Sequence, residues 1–397
     1  MAPGDSHAVK NPVNAAGASV DPVPLTPMNV ASTLWLGSLG LLILGIQPVV
    51  LEPLVRFGRI GEASLGSAAT IEILAIAIGS VLGARLLRSM PARAVAVAGL
   101  LPFAAANLAM HWQTGLGPLL ALRALSGLAG GTLVGMAVVS IARGQRPERL
   151  SAAFLVMQTV LQLCIAALIP YVAQRLLPAD FGFVALALLG LVSLPVLLAV
   201  PPRLAPPQPG AGLPAPVGPS AWAALAGCGA FLVGILAVWA YFGVWEHQIG
   251  MSEQVIGTTA ALSLAAQVLG AGVAGWLGPL LPSRPALLVT TALQIAVVLG
   301  LLHWSTPPAQ IALALAFGFL WLFATPLQTR LLIDVDPTRR AVLHLAAAQL
   351  TGAAAGPSLA GLFVTTGRVD GALWTGIAVL AVSALMVGIA TRRRDRG

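Results

Sequence analysis

Hydrophobic residues in this chain occur in long unbroken runs of about twenty, separated by short clusters of Gly, Pro and Arg. An α-helix needs about 20 apolar residues to cross the hydrocarbon core of a bilayer, so each run predicts a transmembrane helix. The pattern predicts twelve spans, at roughly 33–54, 65–86, 94–110, 117–141, 151–172, 181–200, 221–245, 255–278, 285–303, 308–330, 341–365 and 370–390. We therefore expect an all-α integral membrane protein.

Three polar segments lie outside these spans. Residues 1–32 contain no basic start followed by a short apolar core, so they are interpreted as a disordered cytoplasmic tail rather than a cleaved signal. Residues 201–219 form a Pro-rich linker, which favours neither helix nor strand, and residues 392–397 form a basic cytoplasmic tail. The prediction is two six-helix bundles, at 33–200 and 220–391.

The charges are few and predict an orientation. Only 9% of residues are charged and 58% are hydrophobic, against about 25% charged in soluble domains. If the N-terminus is cytoplasmic, sixteen of the 21 Lys and Arg residues fall in cytoplasmic segments, as the positive-inside rule requires. We expect a multi-pass protein of a bacterial-type inner membrane with both termini cytoplasmic. The net charge of +8 is spread over several loops, so no nucleic-acid partner is expected.

The sequence contains no pattern typical of catalysis or metal binding. Cys164 and Cys228 fall inside predicted helices and form neither a zinc pattern nor a disulfide framework. No His-Glu-x-x-His, Gly-x-Ser-x-Gly or nucleotide-binding loop occurs, and "IDVDP" at 333–337 is interpreted as the end of the tenth span. These observations argue against an enzyme and predict no cofactor or metal. Energy would come from an ion gradient or from the gradient of the substrate itself.

The chain also contains an internal repeat. A shift of 191 residues without gaps aligns Gly79 with Gly270, Gly127 with Gly318, and the loop "MPAR" with "LPSR". Both halves then contain six spans in the same orientation. Parallel repeats of this kind are typical of secondary transporters.

With these features the chain resembles the major facilitator superfamily of secondary transporters over about residues 33 to 390. The signature loop after the second span retains Gly79, Gly83, Arg85 and Arg88 but lacks the usual Asp. The fourth span retains Arg123, Gly127, Gly130 and Gly131, and "GAAAGP" on the eleventh span contains Gly352, Gly356 and Pro357. The antiporter signature of the fifth span is absent. The resemblance implies a monomer whose two bundles rock about a central site, and it associates the arginine of the fourth span with proton coupling.

Arg123 and Glu72 are charged residues inside predicted spans. Both lie roughly 10 Å below the outer edge of the apolar layer at 1.5 Å per residue, so we expect them to pair. Glu52 is a competing partner or, alternatively, an interfacial residue. The pair is either a proton-driven switch or a static structural feature, and Arg123 could instead cap carbonyls of the first span. Gly127, Gly131 and Gly135 predict close packing, with any functional role arising as the first span slides past them.

Polar and aromatic residues within the spans predict a substrate cavity. Gln47 and Pro48 are expected to interrupt the first span, and Gln158 and Gln162 to share one face of the fifth. The other candidates are Tyr241, Trp245, Trp321 and His344. Trp245 is equally consistent with a headgroup anchor. His344 fits a packed residue near the cytoplasmic surface better than a proton carrier.

The predicted function is secondary transport of a small organic solute, with protons as the coupling partner. A cavity with few charges favours a moderately hydrophobic compound or a weak organic acid. The alternatives are a facilitator without an energy source or a drug-type exporter. An intramembrane enzyme and a non-transporting scaffold fit the sequence less well.

Overall fold

A computed structural model describes residues 25–113, 115–144, 147–173, 181–204, 217–277, 280–336 and 338–392. Within these residues the chain forms twelve α-helices: α1 Pro27–Arg56, α2 Glu62–Leu86, α3 Ala92–Ala109, α4 Leu116–Arg143, α5 Pro147–Ala173, α6 Phe181–Val192, α7 Pro219–Gln248, α8 Glu253–Leu277, α9 Ser283–His303, α10 Pro307–Val335, α11 Arg340–Gly361 and α12 Asp370–Arg392. Ten helical segments of the described chain are long and apolar enough to cross a membrane. The all-α prediction is confirmed. Residues 1–24, the centre of the linker and residues 393–397 lie outside the described residues.

Two helix boundaries differ from the prediction for local reasons. The first helix begins at Pro27, because Thr26 and Asn29 form a reciprocal capping box and Pro27 occupies the first turn. The sixth helix ends at Val192 rather than residue 200, and a 3₁₀ segment, Leu194–Ala199, follows it. Pro195 lacks the N–H that a continuing α-helix needs. The boundaries of segments 33–200 and 220–391 therefore remain approximate predictions.

The expected interruption of the first span at Gln47 and Pro48 is wrong. Helix α1 continues through Pro48 and Pro53. Pro48 cannot donate a hydrogen bond to the carbonyl of Leu44, four residues earlier. The indole N–H of Trp239 on α7 donates to that carbonyl instead, at 3.0 Å. The missing helical bond is thus compensated from the other half of the protein.

The sequence repeat appears as equivalent helix contacts in both halves. A Cβ on Gly79 of α2 would overlap the carbonyl of Leu128 on α4, and one on Gly127 would overlap the carbonyl of Glu72. After the shift of 191 residues, Gly270 of α8 faces the carbonyl of Phe319 on α10, and Gly318 faces that of Ser263. Each half therefore holds one helix pair in backbone contact, at the same register.

The two halves meet mainly where α1 packs on α7, α2 on α11, and α5 on α8, and smaller contacts join α1 to α8 and α2 to α7. Helices α1 and α7 are buried along most of their length and lie at the centre. Large apolar side chains on the outward faces of other helices are exposed, as a surrounding bilayer requires. We call the end that carries the α1–α2 and α7–α8 connections the α1–α2 end, and the opposite one the α2–α3 end.

Candidate functional site

A buried ion pair lies between α2 and α4. Arg123 is fully buried and Glu72 is 2% exposed. Their side chains form the predicted salt bridge, Nη2 of Arg123 to Oε2 of Glu72. The contact of Gly127 with the Glu72 backbone holds the two helices close enough for this pairing. Arg123 therefore does not cap α1, and Glu52 is not its partner.

Two further helices, α3 and α6, complete the surroundings of the pair. The hydroxyl of Ser126 donates to Oε1 of Glu72 at 3.2 Å, and the amide of Asn107 on α3 donates to Ser126 at 2.9 Å. The guanidinium of Arg123 lies 5.1 Å from the ring centroid of Phe183 on α6, within cation–π range. The carboxylate is held by the cation and a polar chain, while an aromatic ring screens the cation.

At the two positions that the repeat makes equivalent to Glu72 and Arg123, the second half has no charged residue. The repeat places Ser263 and Ala314 where the first half has Glu72 and Arg123, and both are buried. The helix packing is therefore conserved between the halves without the charges. Packing alone does not account for a buried Arg and Glu in the first half.

A second charged cluster joins the halves at the α1–α2 end. Arg56 on α1 pairs with Glu52, one turn earlier, at 3.2 Å, and it also pairs with Glu253 on α8. His247 on α7 lies 3.7 Å from the same Glu52 oxygen. Glu52 is 4% exposed, so it is buried within the protein. One arginine thus links an acid of each half.

Among the described residues, the hydrogen bonds between the halves also lie from the middle of the bundle to the α1–α2 end. The backbone N–H of Gly66 donates to the hydroxyl of Tyr241 at 2.9 Å. The hydroxyl of Thr70 donates to the Ala354 carbonyl at 2.6 Å and accepts from the Ser358 N–H at 3.1 Å. In a regular α-helix the Ser358 N–H would donate directly to the Ala354 carbonyl, four residues earlier. Here the Thr70 hydroxyl of the other half bridges these two groups. These contacts close the α1–α2 end.

A comparison of the sequence with models of protein families identifies the family of this chain. The model of the Major Facilitator Superfamily matches residues 28–351, most of the chain. The chain belongs to the major facilitator superfamily. It is accordingly a multi-pass membrane transporter of small molecules and not an enzyme.

Solved structures agree with this fold. A bacterial homologue of the human lysosomal transporter Spinster, inward-facing and unoccupied, superposes with a TM-score of 0.68 at 12% identity, over 93% of this chain and 98% of that one. A mutant of the nucleoside transporter NupG superposes with a TM-score of 0.73 at 12% identity, over 91% of this chain and 99% of that one. At these identities the likeness concerns the fold alone. No sequence among the curated proteins matches this chain.

The predicted cavity residues Gln47, Tyr241 and Trp245 lie on α1 and α7, the helices that meet between the halves. Gln47 is fully buried, and neither amide atom has a hydrogen-bond partner among the described residues. Tyr241 is also fully buried and bonds to α2, so in this conformation it closes the interface rather than lining an open space. Trp245 is 8% exposed, which excludes a headgroup anchor.

An aromatic cluster surrounds Trp239 between α7 and α10. Phe242 and Phe317 stack on its ring with centroids at 5.7 and 6.1 Å, and Trp321 packs edge-on at 5.9 Å. Trp321 is partly exposed, whereas the other three rings are buried. The structure thus places Trp321, of the predicted cavity residues, at the accessible edge of an otherwise buried cluster.

The remaining cavity candidates are dispersed. Gln162 is buried and donates to the Leu41 carbonyl at 2.8 Å, so it ties α5 to α1. Gln158 is partly exposed, and its amide oxygen is buried without a partner in the described chain. His344 is exposed and stacks on Trp222 at 5.7 Å near the α2–α3 end, as a surface residue does.

The motif glycines act in packing. Gly83 and Gly131 meet carbonyls of α4 and α2, in line with the packing expectation. The expected role for the first span is wrong, because Gly127, Gly131 and Gly135 all face α2; it is Gly130 that meets α1, at Gly40. Gly352 and Gly356 bring α11 against the α7 backbone, and the carbonyl of Pro357 faces Gly66. Arg85 and Arg88 are exposed at the α2–α3 end.

Sequence reasoning missed one buried acid. The seventh span was predicted to end at Trp245, which places Glu246 in a loop, but α7 continues to Gln248 and Glu246 is fully buried. Its Oε2 lies 2.7 Å from the hydroxyl of Thr259 on α8. The residues "EHQ" after Trp245 include no Gly or Pro that would end a helix. Their absence from the sequence could have indicated that α7 continues past Trp245.

Proposed function

We propose that the chain is a secondary active transporter that moves a small organic solute by alternating access and couples this movement to protons. The single observation that carries the coupling is the buried Glu72–Arg123 pair. A charged pair inside a membrane is unfavourable relative to apolar packing, and the second half achieves the same packing without it. Its presence in one half supports a functional role.

Glu72 and Arg123 supply a two-state element. When the carboxyl of Glu72 is ionised, it compensates Arg123 and holds α2 against α4. When it binds a proton, Arg123 loses its counter-ion and must find another acceptor or water. The equilibrium between conformations then depends on the proton concentration at whichever side reaches the pair. A weak organic acid could replace Glu72 as the partner of Arg123.

We further propose that the two halves, near 33–200 and 220–391, rock about the α1–α7 contact. The contacts at the α1–α2 end correspond to a state closed on that side. Because basic residues predominate in the opposite loops, the closed side is assigned to the outside and both termini to the cytoplasm of a bacterial-type inner membrane. The unit is proposed to be a monomer, since each chain contains both halves.

For the substrate we propose a moderately hydrophobic compound or a weak organic acid. The buried amide of Gln47 has no hydrogen-bond partner among the described residues, and Trp321 presents an aromatic surface at the edge of the Trp239 cluster. Few charged groups are available for a strongly polar ligand. A thermal-shift screen of the purified protein against organic acids, aromatics and sugars tests this assignment, because a ligand of the folded state raises its apparent stability.

Glu72→Gln in proteoliposomes tests the coupling. Gln keeps the shape of Glu72 and mimics its protonated form. With a ligand from the screen as substrate, the variant should retain exchange across the membrane and lose accumulation driven by a pH gradient. Glu52→Gln in the same assay tests the remaining candidate for the proton carrier, a buried acid that pairs with Arg56 instead. Accumulation that persists in well-folded Glu72→Gln protein refutes the proposal and favours a static pair or an uncoupled facilitator.

A further inference from the structure

Glu246 is a buried acid that the ion-pair mechanism does not use. It lies in the last turn of α7, at the α1–α2 end, with no exposed surface. Its Oε1 has no hydrogen-bond partner among the described residues, and its Oε2 contacts the hydroxyl of Thr259 at 2.7 Å. An acid in this position therefore receives one polar contact where an ionised carboxylate can accept about four.

The hydroxyl of Thr259 already has two other acceptors. It lies 3.0 Å from the carbonyl of Val255 and 2.8 Å from that of Ile256, the usual back-bonding position of a helical threonine. A hydroxyl carries a single hydrogen, and a carbonyl can only accept. If Thr259 donates to its own helix, the 2.7 Å contact requires the hydrogen to come from Glu246. A protonated Glu246 that donates to Thr259 satisfies this arrangement.

No cation compensates Glu246 in the described chain. The charged and titratable groups at this end of α7 and of the helices that pack on it are Glu52 and Arg56 on α1, Glu62 on α2, Tyr241 and His247 on α7, Glu253 on α8, Arg368 before α12 and Asp370 at its start. The described ion pairs join Arg56 to Glu52 and to Glu253, His247 to Glu52, and Arg368 to Asp370. None of them includes Glu246. An isolated buried carboxylate is strongly unfavourable, whereas the neutral acid is not.

From this geometry we infer that Glu246 is a second proton-binding site, occupied in the conformation closed at the α1–α2 end. When that end opens, water reaches the carboxyl, its O–H bond breaks, and the proton passes to the water. The bound proton does not depend on transport, whereas its release on opening rests on the proposed alternating access. The two buried acids then have opposite states in the closed form: Glu72 ionised beside Arg123 and Glu246 neutral beside Thr259.

Infrared spectroscopy of the wild-type protein at neutral pH tests the bound proton. A protonated carboxyl has a C=O stretching band separate from those of ionised carboxylates and backbone amides. We expect this band in the wild type, its loss in Glu246→Gln, and its retention in Glu72→Gln, the control for a buried but ion-paired acid. Thr259→Val should keep the band and shift it to higher frequency, because the acid loses its acceptor. Absence of the band from the wild type, or its persistence in Glu246→Gln, overturns the inference.

Spin-label distances across the α1–α2 end test the release. Gly61 and Ser252 are exposed and lie in the α1–α2 and α7–α8 connections, so each accepts a label as cysteine in a Cys164→Ser background, since Cys228 is buried. In the wild type, alkaline pH should add a population with longer distances. Glu246→Gln, which cannot release a proton, should keep the short distance at acidic and alkaline pH.

The possible outcomes separate the two hypotheses. Opening of Glu246→Gln at alkaline pH to the same extent as the wild type overturns the release step, whatever the transport assays show. A wild type that never opens at this end contradicts alternating access and the release step together, while the infrared band still decides whether Glu246 binds a proton. Loss of pH-driven accumulation in Glu72→Gln tests the ion pair separately, because that variant leaves Glu246 unchanged.

Discussion

The Glu72–Arg123 pair makes a quantitative prediction about stability. We consider three variants: Glu72→Leu, Arg123→Met and the double variant with both changes. The singles each leave one charged residue without its partner inside the membrane, and the double leaves none. A double-mutant cycle therefore isolates the coupling between the two residues.

The structure sets the expected magnitudes. Removal of one partner of a buried pair costs about 3–5 kcal/mol of unfolding free energy. Arg123→Met should lie at the lower limit, because Glu72 keeps the Ser126 hydroxyl and can bind a proton. Glu72→Leu should lie at the upper limit, because arginine stays charged and retains only the weaker contact with Phe183. The double variant should come within about 1 kcal/mol of the wild type, since apolar replacement of a whole buried pair is often neutral or stabilising.

The assay is reversible unfolding of the purified protein in mixed micelles, followed by steric trapping or by helix content during detergent titration. Single costs of about 3 and about 5 kcal/mol and a double cost of about 1 kcal/mol give a coupling free energy of about 7 kcal/mol, above the roughly 0.5–3 kcal/mol of ordinary neighbouring residues. The reasoning is refuted if the double variant is destabilised by the sum of the single effects, or if Glu72→Leu leaves stability unchanged. Phe183→Leu, which alters the ring beside the pair and leaves both charges, is the control for packing.

Three further predictions follow from contacts elsewhere in the fold. Gly127 and Gly318 occupy equivalent positions of the repeat, and a Cβ at either would overlap a carbonyl oxygen. Gly127→Ala and Gly318→Ala should therefore each lower the unfolding free energy by about 1–3 kcal/mol in the same assay. In the control Gly275→Ala the new methyl group points into open space, so the stability should be unchanged or slightly higher. Trp239→Phe removes the indole N–H that donates to the Leu44 carbonyl, which Pro48 leaves without a helical donor. The distribution of spin-label distances at the α1–α2 end should therefore broaden, and an unchanged distribution would contradict a role of this bond in joining the halves. Hydrogen bonds from the Thr338 hydroxyl and the Ala341 N–H hold the pKa of Asp336 below its usual value. The ionised Asp336 therefore stabilises the start of α11 at neutral pH, and this stabilisation is lost as the pH falls through the lowered pKa. Amide exchange in the first turn of α11 should accelerate on acidification, and in Asp336→Ala it should be fast at every pH.

Hydrophobic run length determined much of this protein before any tertiary contact is considered. A bilayer requires about twenty apolar residues per helix, so the positions of the spans, the all-α class and the internal repeat could be predicted from the sequence. Gly79 and Gly127 could be matched to Gly270 and Gly318 because helices that touch through their backbones tolerate little besides glycine at the contact. The pairing of Glu72 with Arg123 could be predicted from their equal depth in the membrane, because a buried charge needs a partner.

Tertiary structure alone decided features that depend on groups far apart in sequence. Pro48 leaves the Leu44 carbonyl without its helical donor, but only the packing of α7 on α1 brings Trp239 to it and keeps the helix continuous. Glu246 looks like a loop residue until α8 covers it, since burial depends on neighbouring helices and not on the local run. Depth can be counted along one helix at 1.5 Å per residue, whereas the direction a side chain faces is fixed by which helices surround it.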